Sequence, residues 1–121
     1  MNQVNKNKDV LLLLTENYYR NWINKDLNKI RLMFSDNIIL IDPTIKTAEG
    51  IESVLEINRM IFRSCEKLNI KELNIFVDHF TSTTIGEVKL FCDKKLVEVV
   101  DIFSFDENMK IKKIVAYLDT K

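Results

Sequence analysis

Apolar positions in the first quarter of the chain recur at helical spacing. On a wheel of about 100° per residue, Leu11, Leu12, Leu14, Tyr18, Tyr19, Trp22 and Ile23 share one side, and Glu16, Asn17, Arg20, Asn21 and Asn24 the other. The spacing predicts a helix capped by Asp9, preceded by a polar, frayed start over residues 1–8. Asp26 is a second N-cap, for a short helix through Leu27, Ile30, Met33 and Phe34 that stops near Ser35 and Asp36. From Asn37 the pattern changes: Ile38 to Ile41 is a β-branched and apolar run ended by Asp42 and Pro43, a strand leaving a sheet. Pro43 and Gly50 bracket a loop. Ile51, Val54, Leu55, Asn58, Ile61 and Phe62 then fall at three-and-four spacing, predicting a third helix that ends between Cys65 and Leu68. The remainder predicts four strands, 70–80, 82–92, 95–105 and 110–119, joined by turns such as Asp93-Lys94-Lys95 and Asp106-Glu107-Asn108, and short turns make antiparallel neighbours. Helices packed on one face of a strongly bent sheet follow, an α+β fold.

With 121 residues the chain fits one domain, large enough for one real core. A hydrophobic share of 46% and a charged share of 30% are ordinary globular usage and exclude wholesale disorder or a membrane-spanning chain. Basic and acidic residues balance at 18 each, so no excess positive field holds a phosphate backbone and no nucleic-acid partner is expected. Lys110, Lys112 and Lys113 alternate between strand faces as a solvated edge. Val10 to Leu14 is too short for a secretory core, so a cytoplasmic location is expected, with no membrane association. Cys65 and Cys92 lack a CxxC spacing and have only His79 to help them. Free thiols are therefore expected, with no metal and no cofactor.

Asp101 is the most informative residue. Period-two alternation puts it in a row with Val97, Val99, Phe103 and Phe105, the single polar group on the more apolar face of its strand. A buried, unpartnered carboxylate is so unfavourable that the group finds a donor or stays protonated. Held neutral, a carboxylic acid donates a hydrogen bond. A purely structural role is open for it, as it is for Asp42, whose place before proline suits a turn, and for Tyr18, on the buried arc of its helix. Tyr19 and Tyr117 read as packing residues, and Arg59 and Arg63 as exposed.

The order of elements resembles the nuclear transport factor 2-like superfamily, with its SnoaL-like polyketide cyclases, scytalone dehydratase and ketosteroid isomerase. Its carriers are the first helix running into Asn24-Lys25-Asp26-Leu27, Met33-Phe34-Ser35-Asp36-Asn37 ahead of the strand ending Asp42-Pro43, and Gly50-Ile51 opening a helix. The late strands Asp101-Ile102-Phe103-Ser104-Phe105-Asp106 and Lys110 to Tyr117 complete it. The resemblance covers nearly the whole chain and implies a cone-shaped curved sheet wrapped around three helices, enclosing an apolar cavity. Ketosteroid isomerase implies site residues: a tyrosine eight residues before the second helix, matched by Tyr18; a strand-ending Asp-Pro base, matched by Asp42; and a protonated aspartate two before a phenylalanine, matched by Asp101 and Phe103. Trp22, Val99, Phe103 and Phe62 are then the expected pocket lining. An isomerase or cyclase acting beside a carbonyl and a non-catalytic ligand-binding or dimerising domain both remain open. Epoxide hydrolysis with Arg59 or Arg63 is a third reading. An apolar small-molecule ligand and a homodimer are the expected partners, the latter because the second face, Leu96 to Ser104, is itself mostly apolar.

Overall fold

The computed structural model describes residues 3–43 and 47–120. The elements run α1 (Gln3–Ile23), α2 (Leu27–Met33), β1 (Phe34–Ile41), β2 (Ala48–Glu49), α3 (Ile51–Ser64), β3 (Leu68–Asp78), β4 (Thr83–Cys92), β5 (Lys95–Phe105) and β6 (Ile111–Thr120). The strands form one six-stranded sheet in the order β2-β1-β6-β5-β4-β3. Every neighbouring pair is antiparallel except β1 and β6. A crossover through α3 and the meander makes that parallel pair possible, since parallel neighbours cannot be joined by a tight turn. The α+β fold, with a mixed, curved sheet wrapped around three helices, is the one expected from the chain.

Local chemistry explains the borders. Asp26 accepts the backbone N–H of Lys29 at 3.1 Å, as a cap should, and α2 ends at Met33, so Phe34 opens the strand instead of closing the helix. Gly50 takes φ 91 ahead of α3, a left-handed conformation that glycine adopts without strain. The first helix corrects an expectation. It starts at Gln3, leaving Asp9 inside it, because no glycine or proline interrupts the preceding stretch. Met1 and Asn2 of the expected frayed start, and residues 44–46 of the Pro43 to Gly50 loop, lie outside the described residues.

The helices cover the concave face: α1 lies on β3 and β4, and α3 on β1 and β2. Leu11, Thr15, Tyr18 and Tyr19 form the buried side of α1. Thr15, completely enclosed, donates to Leu11 O and shares a 2.8 Å hydrogen bond with Thr84 of β4, so its hydroxyl fits a core position. Of three register shifts in the sheet, two are single-residue bulges that bend it, and the third lies between Phe34 and Ile39 of β1. Lys71 is an extra residue between the pairs Ile70↔Leu90 and Glu72↔Lys89, and Lys112 between Phe105↔Ile111 and Ser104↔Lys113. The second explains why Lys112 and Lys113 are both exposed when alternation predicted opposite faces, while Ile111 and Ile114 are both buried.

The cysteines are not free thiols. Cys65, at the end of α3, and Cys92, at the end of β4, are joined in a disulfide with Cα atoms 5.3 Å apart. The corner around them is held by four further hydrogen bonds. The Asp93 carboxylate accepts the amides of Glu66 and Lys67 at 3.3 and 2.8 Å, and Lys25 donates to the carbonyls of Cys65 and Glu66, where the dipole of α3 favours a cation.

Candidate functional site

Between the concave face and the helices lies a cavity of about 240 Å³. Its floor comes from alternate residues of β5 and β6, which point inward because they occupy one face of the pleat: Val97, Val99 and Asp101, then Ile114, Ala116 and Leu118. Tyr18, Tyr19 and Trp22 of α1 form one wall, and Asn58 and Ile61 of α3 the other. Asp42 enters from the end of β1, and the Cys65–Cys92 disulfide forms part of the lining.

The lining is apolar apart from a few groups, and these are arranged. Asp101 faces the lumen with protein on its other sides, and burial pushes its pKa from 3.8 up to about 7; the Tyr19 hydrogen bond opposes the rise and the charge of Asp42 adds to it. The Tyr19 hydroxyl donates to Asp101 Oδ2 at 2.7 Å. Both tyrosines have pKa values raised above the ordinary 10.0, first by burial and then by Asp101. They keep their protons throughout the range in which Asp101 titrates. Across the cavity the Trp22 indole N–H donates to Asn58 Oδ1 at 3.2 Å. An indole only donates, so this contact fixes the amide with its NH₂ side as the remaining donor.

The structure brings Tyr18, Asp42 and Asp101 to the same cavity, together with Trp22 and Val99. Phe103 and Phe62 are not in the lining. Phe103, fully enclosed, packs edge-on behind Tyr18 and Tyr19 with centroids 5.1 and 5.7 Å away, and Phe62 packs on Trp22 at 5.3 Å, so both support the wall from outside it. Arg59 pairs with Glu56 and Arg63 is exposed; neither is in the lining. Tyr19, expected to be packing alone, holds the carboxyl. Gly86, unmarked by the sequence reading, is the Cα partner of Asp101 on β4. A glycine in mid-strand is the signal for such a close approach. Asn58 was visible as the one amide within the apolar stripe of α3.

No protein-family model matches the chain, and no curated protein matches it in sequence. Solved structures do match in shape. A protein of unknown function with a cystatin-like fold from Methylobium petroleophilum PM1 superposes with TM-score 0.80 at 15% identity, over 94% of this chain and 78% of that one. The fold is NTF2-like. A SnoaL-like protein of unknown function from Burkholderia thailandensis E264 shares this NTF2-like fold with TM-score 0.76 and 15% identity, over 93% and 96% of the two chains. A steroid delta-isomerase from Pseudomonas aeruginosa gives TM-score 0.71 and 13% identity, over 91% and 80%. At such identities the likeness shows architecture alone.

Proposed function

We propose that the cavity binds an apolar small molecule by a carbonyl oxygen and transfers a proton at the carbon beside it. Asp42 is the base, and Asp101, protonated near neutral pH, donates to the developing oxyanion with Tyr18 alongside. The observation that carries this reading is a carboxyl whose pKa is raised to about 7 in an apolar cavity that also holds a second carboxylate. A carboxyl held protonated by its surroundings next to a second acid is an ordinary way of dividing acid from base. The likeness to a steroid delta-isomerase is consistent with such chemistry.

Deuterium uptake from D₂O at the α-carbons of cyclohexyl methyl ketone, followed by NMR, tests the proposal. Asp42→Asn, which keeps size and removes the base, should slow it about a hundredfold. An unchanged rate would take Asp42 out of the mechanism.

A binding role without turnover is the second reading, favoured by the direction of the Tyr19 proton, which serves Asp101 and not the lumen. It separates by experiment: Trp22, the only tryptophan, lies in the wall, so saturable quenching without deuterium uptake marks a binding protein.

We also propose that the chain pairs through the convex face of its sheet. The register lines up Phe76, Ile85, Ile102, Val115 and Ile41 in one row across that face, with Val100 and Tyr117 in the next. Phe76 and Tyr117 are 58% and 55% exposed. A continuous apolar belt of this kind is what a two-fold interface buries. Sedimentation equilibrium should give a dimer, and Ile102→Lys, in the middle of the belt, a monomer with unchanged circular dichroism; a wild-type monomer would end the proposal.

A further inference from the structure

We propose that Gly86 and Tyr19 are positioning residues for Asp101, and that through them its carboxyl meets a ligand with one oxygen only, favouring a carbonyl oxygen over a cation that needs both. This rests on the reading of the cavity as a ligand site and adds to it a selection rule.

On the concave face Asp101 stands between Gly86 of β4 and Ala116 of β6, the smallest residues available. A Cβ at position 86 would lie 2.0 Å from the Tyr19 hydroxyl oxygen and 2.6 and 2.7 Å from two ring carbons. The phenol therefore occupies the space that any side chain on β4 would fill, and from there it reaches Asp101 Oδ2 at 2.7 Å. The carboxyl can present Oδ1 alone to the lumen. When Asp101 is protonated, Oδ2 accepts from Tyr19, so the proton sits on Oδ1 as a single donor suited to a carbonyl. A guanidinium or amidinium engages a carboxylate through two parallel bonds and finds one oxygen taken. The groups facing Asp101 are Tyr18 and Tyr19 from α1 and Asp42 from the end of β1. The α3 wall adds the uncharged Asn58, and the cross-strand neighbours of Asp101 on β4 and β6 are the uncharged Gly86 and Ala116.

The first test needs no ligand: the Asp101 carboxyl is titrated by ¹³C NMR in the wild type, Tyr19→Phe and Gly86→Ala. The Tyr19 bond stabilises the ionised form, so each variant should raise the midpoint by about one pH unit. An unmoved midpoint in Tyr19→Phe overturns the role of Tyr19. A shift in Tyr19→Phe with none in Gly86→Ala overturns that of Gly86. Should Gly86→Ala fail to fold, Tyr19→Leu with Gly86→Ala decides: recovered folding supports the steric link, and continued failure refutes it. The second test is Trp22 quenching by cyclohexyl methyl ketone at pH 6, where Asp101 holds its proton with or without Tyr19, and by the size-matched cyclohexanecarboxamidine at about pH 9.5, where it is ionised in both proteins. The ratio of ketone to amidine affinity should fall roughly fivefold in Tyr19→Phe, which frees the second oxygen; an unchanged ratio refutes the selection rule. Titration shifts with neither probe binding would uphold the positioning roles and refute the ligand reading of the cavity.

Discussion

Phe103→Ala should lower the free energy of unfolding by about 3–5 kcal/mol. The side chain is wholly enclosed, and it meets Tyr18 and Tyr19 edge-on at interplanar angles of 68° and 88°. Its loss combines the transfer free energy of the ring with a void that two aromatic neighbours anchored on α1 cannot fill, since Tyr19 is also tied to Asp101. The void opens directly behind the ligand cavity, so tyrosines that now form a firm wall gain freedom to tilt. Urea unfolding gives the number. A loss below about 1 kcal/mol would mean that the wall collapses into the space, and that Phe103 is not what holds the tyrosines in place.

How much of this was legible in the sequence depends on the range of each interaction. The inward row of β5 follows from period two, and the Asp26 cap from a side chain bonding three residues away, so both were readable. Alternation failed at Lys112 because a bulge is a property of two strands together. Tyr18 and Tyr19 fall on one buried arc of α1, and periodicity cannot say which reaches a carboxyl 82 residues later in the chain. The resemblance singled out Tyr18; both tyrosines reach the cavity, and the vacant Cβ position at Gly86 gives Tyr19 the contact. The Cys65–Cys92 bond likewise depends on the end of α3 arriving beside the end of β4, across a separation of 27 residues with no motif to mark it. Asp42 and Asp101 were each recognisable as acids out of place. That they share a cavity is a statement about topology, which places the end of β1 beside β6 through the parallel pair.

Asp101→Asn should stabilise the protein at pH 8 by up to about 4 kcal/mol and leave it nearly unchanged near pH 4. The ordinary carboxyl pKa of 3.8 is raised to about 7 in the folded chain. Below about pH 4 folded and unfolded chains both hold the proton, so the group contributes nothing to the pH dependence. Between pH 4 and 7 the folded chain keeps a proton that the unfolded chain releases, and stability falls as pH rises. Above pH 7 both are ionised and the whole cost of a desolvated charge beside Asp42 is present. Asparagine never acquires that charge, and its carbonyl still accepts from Tyr19. Glu52, exposed and paired with Arg31, is untouched by the change, so the difference between the two urea curves reports the Asp101 charge together with its interaction with Asp42. A difference that widens from pH 4 to 8 is the signature of an acid kept neutral by its surroundings. A constant difference would mean that Asp101 ionises as an ordinary aspartate, and a carboxylate already charged near pH 4 has no proton to give a ligand's oxygen.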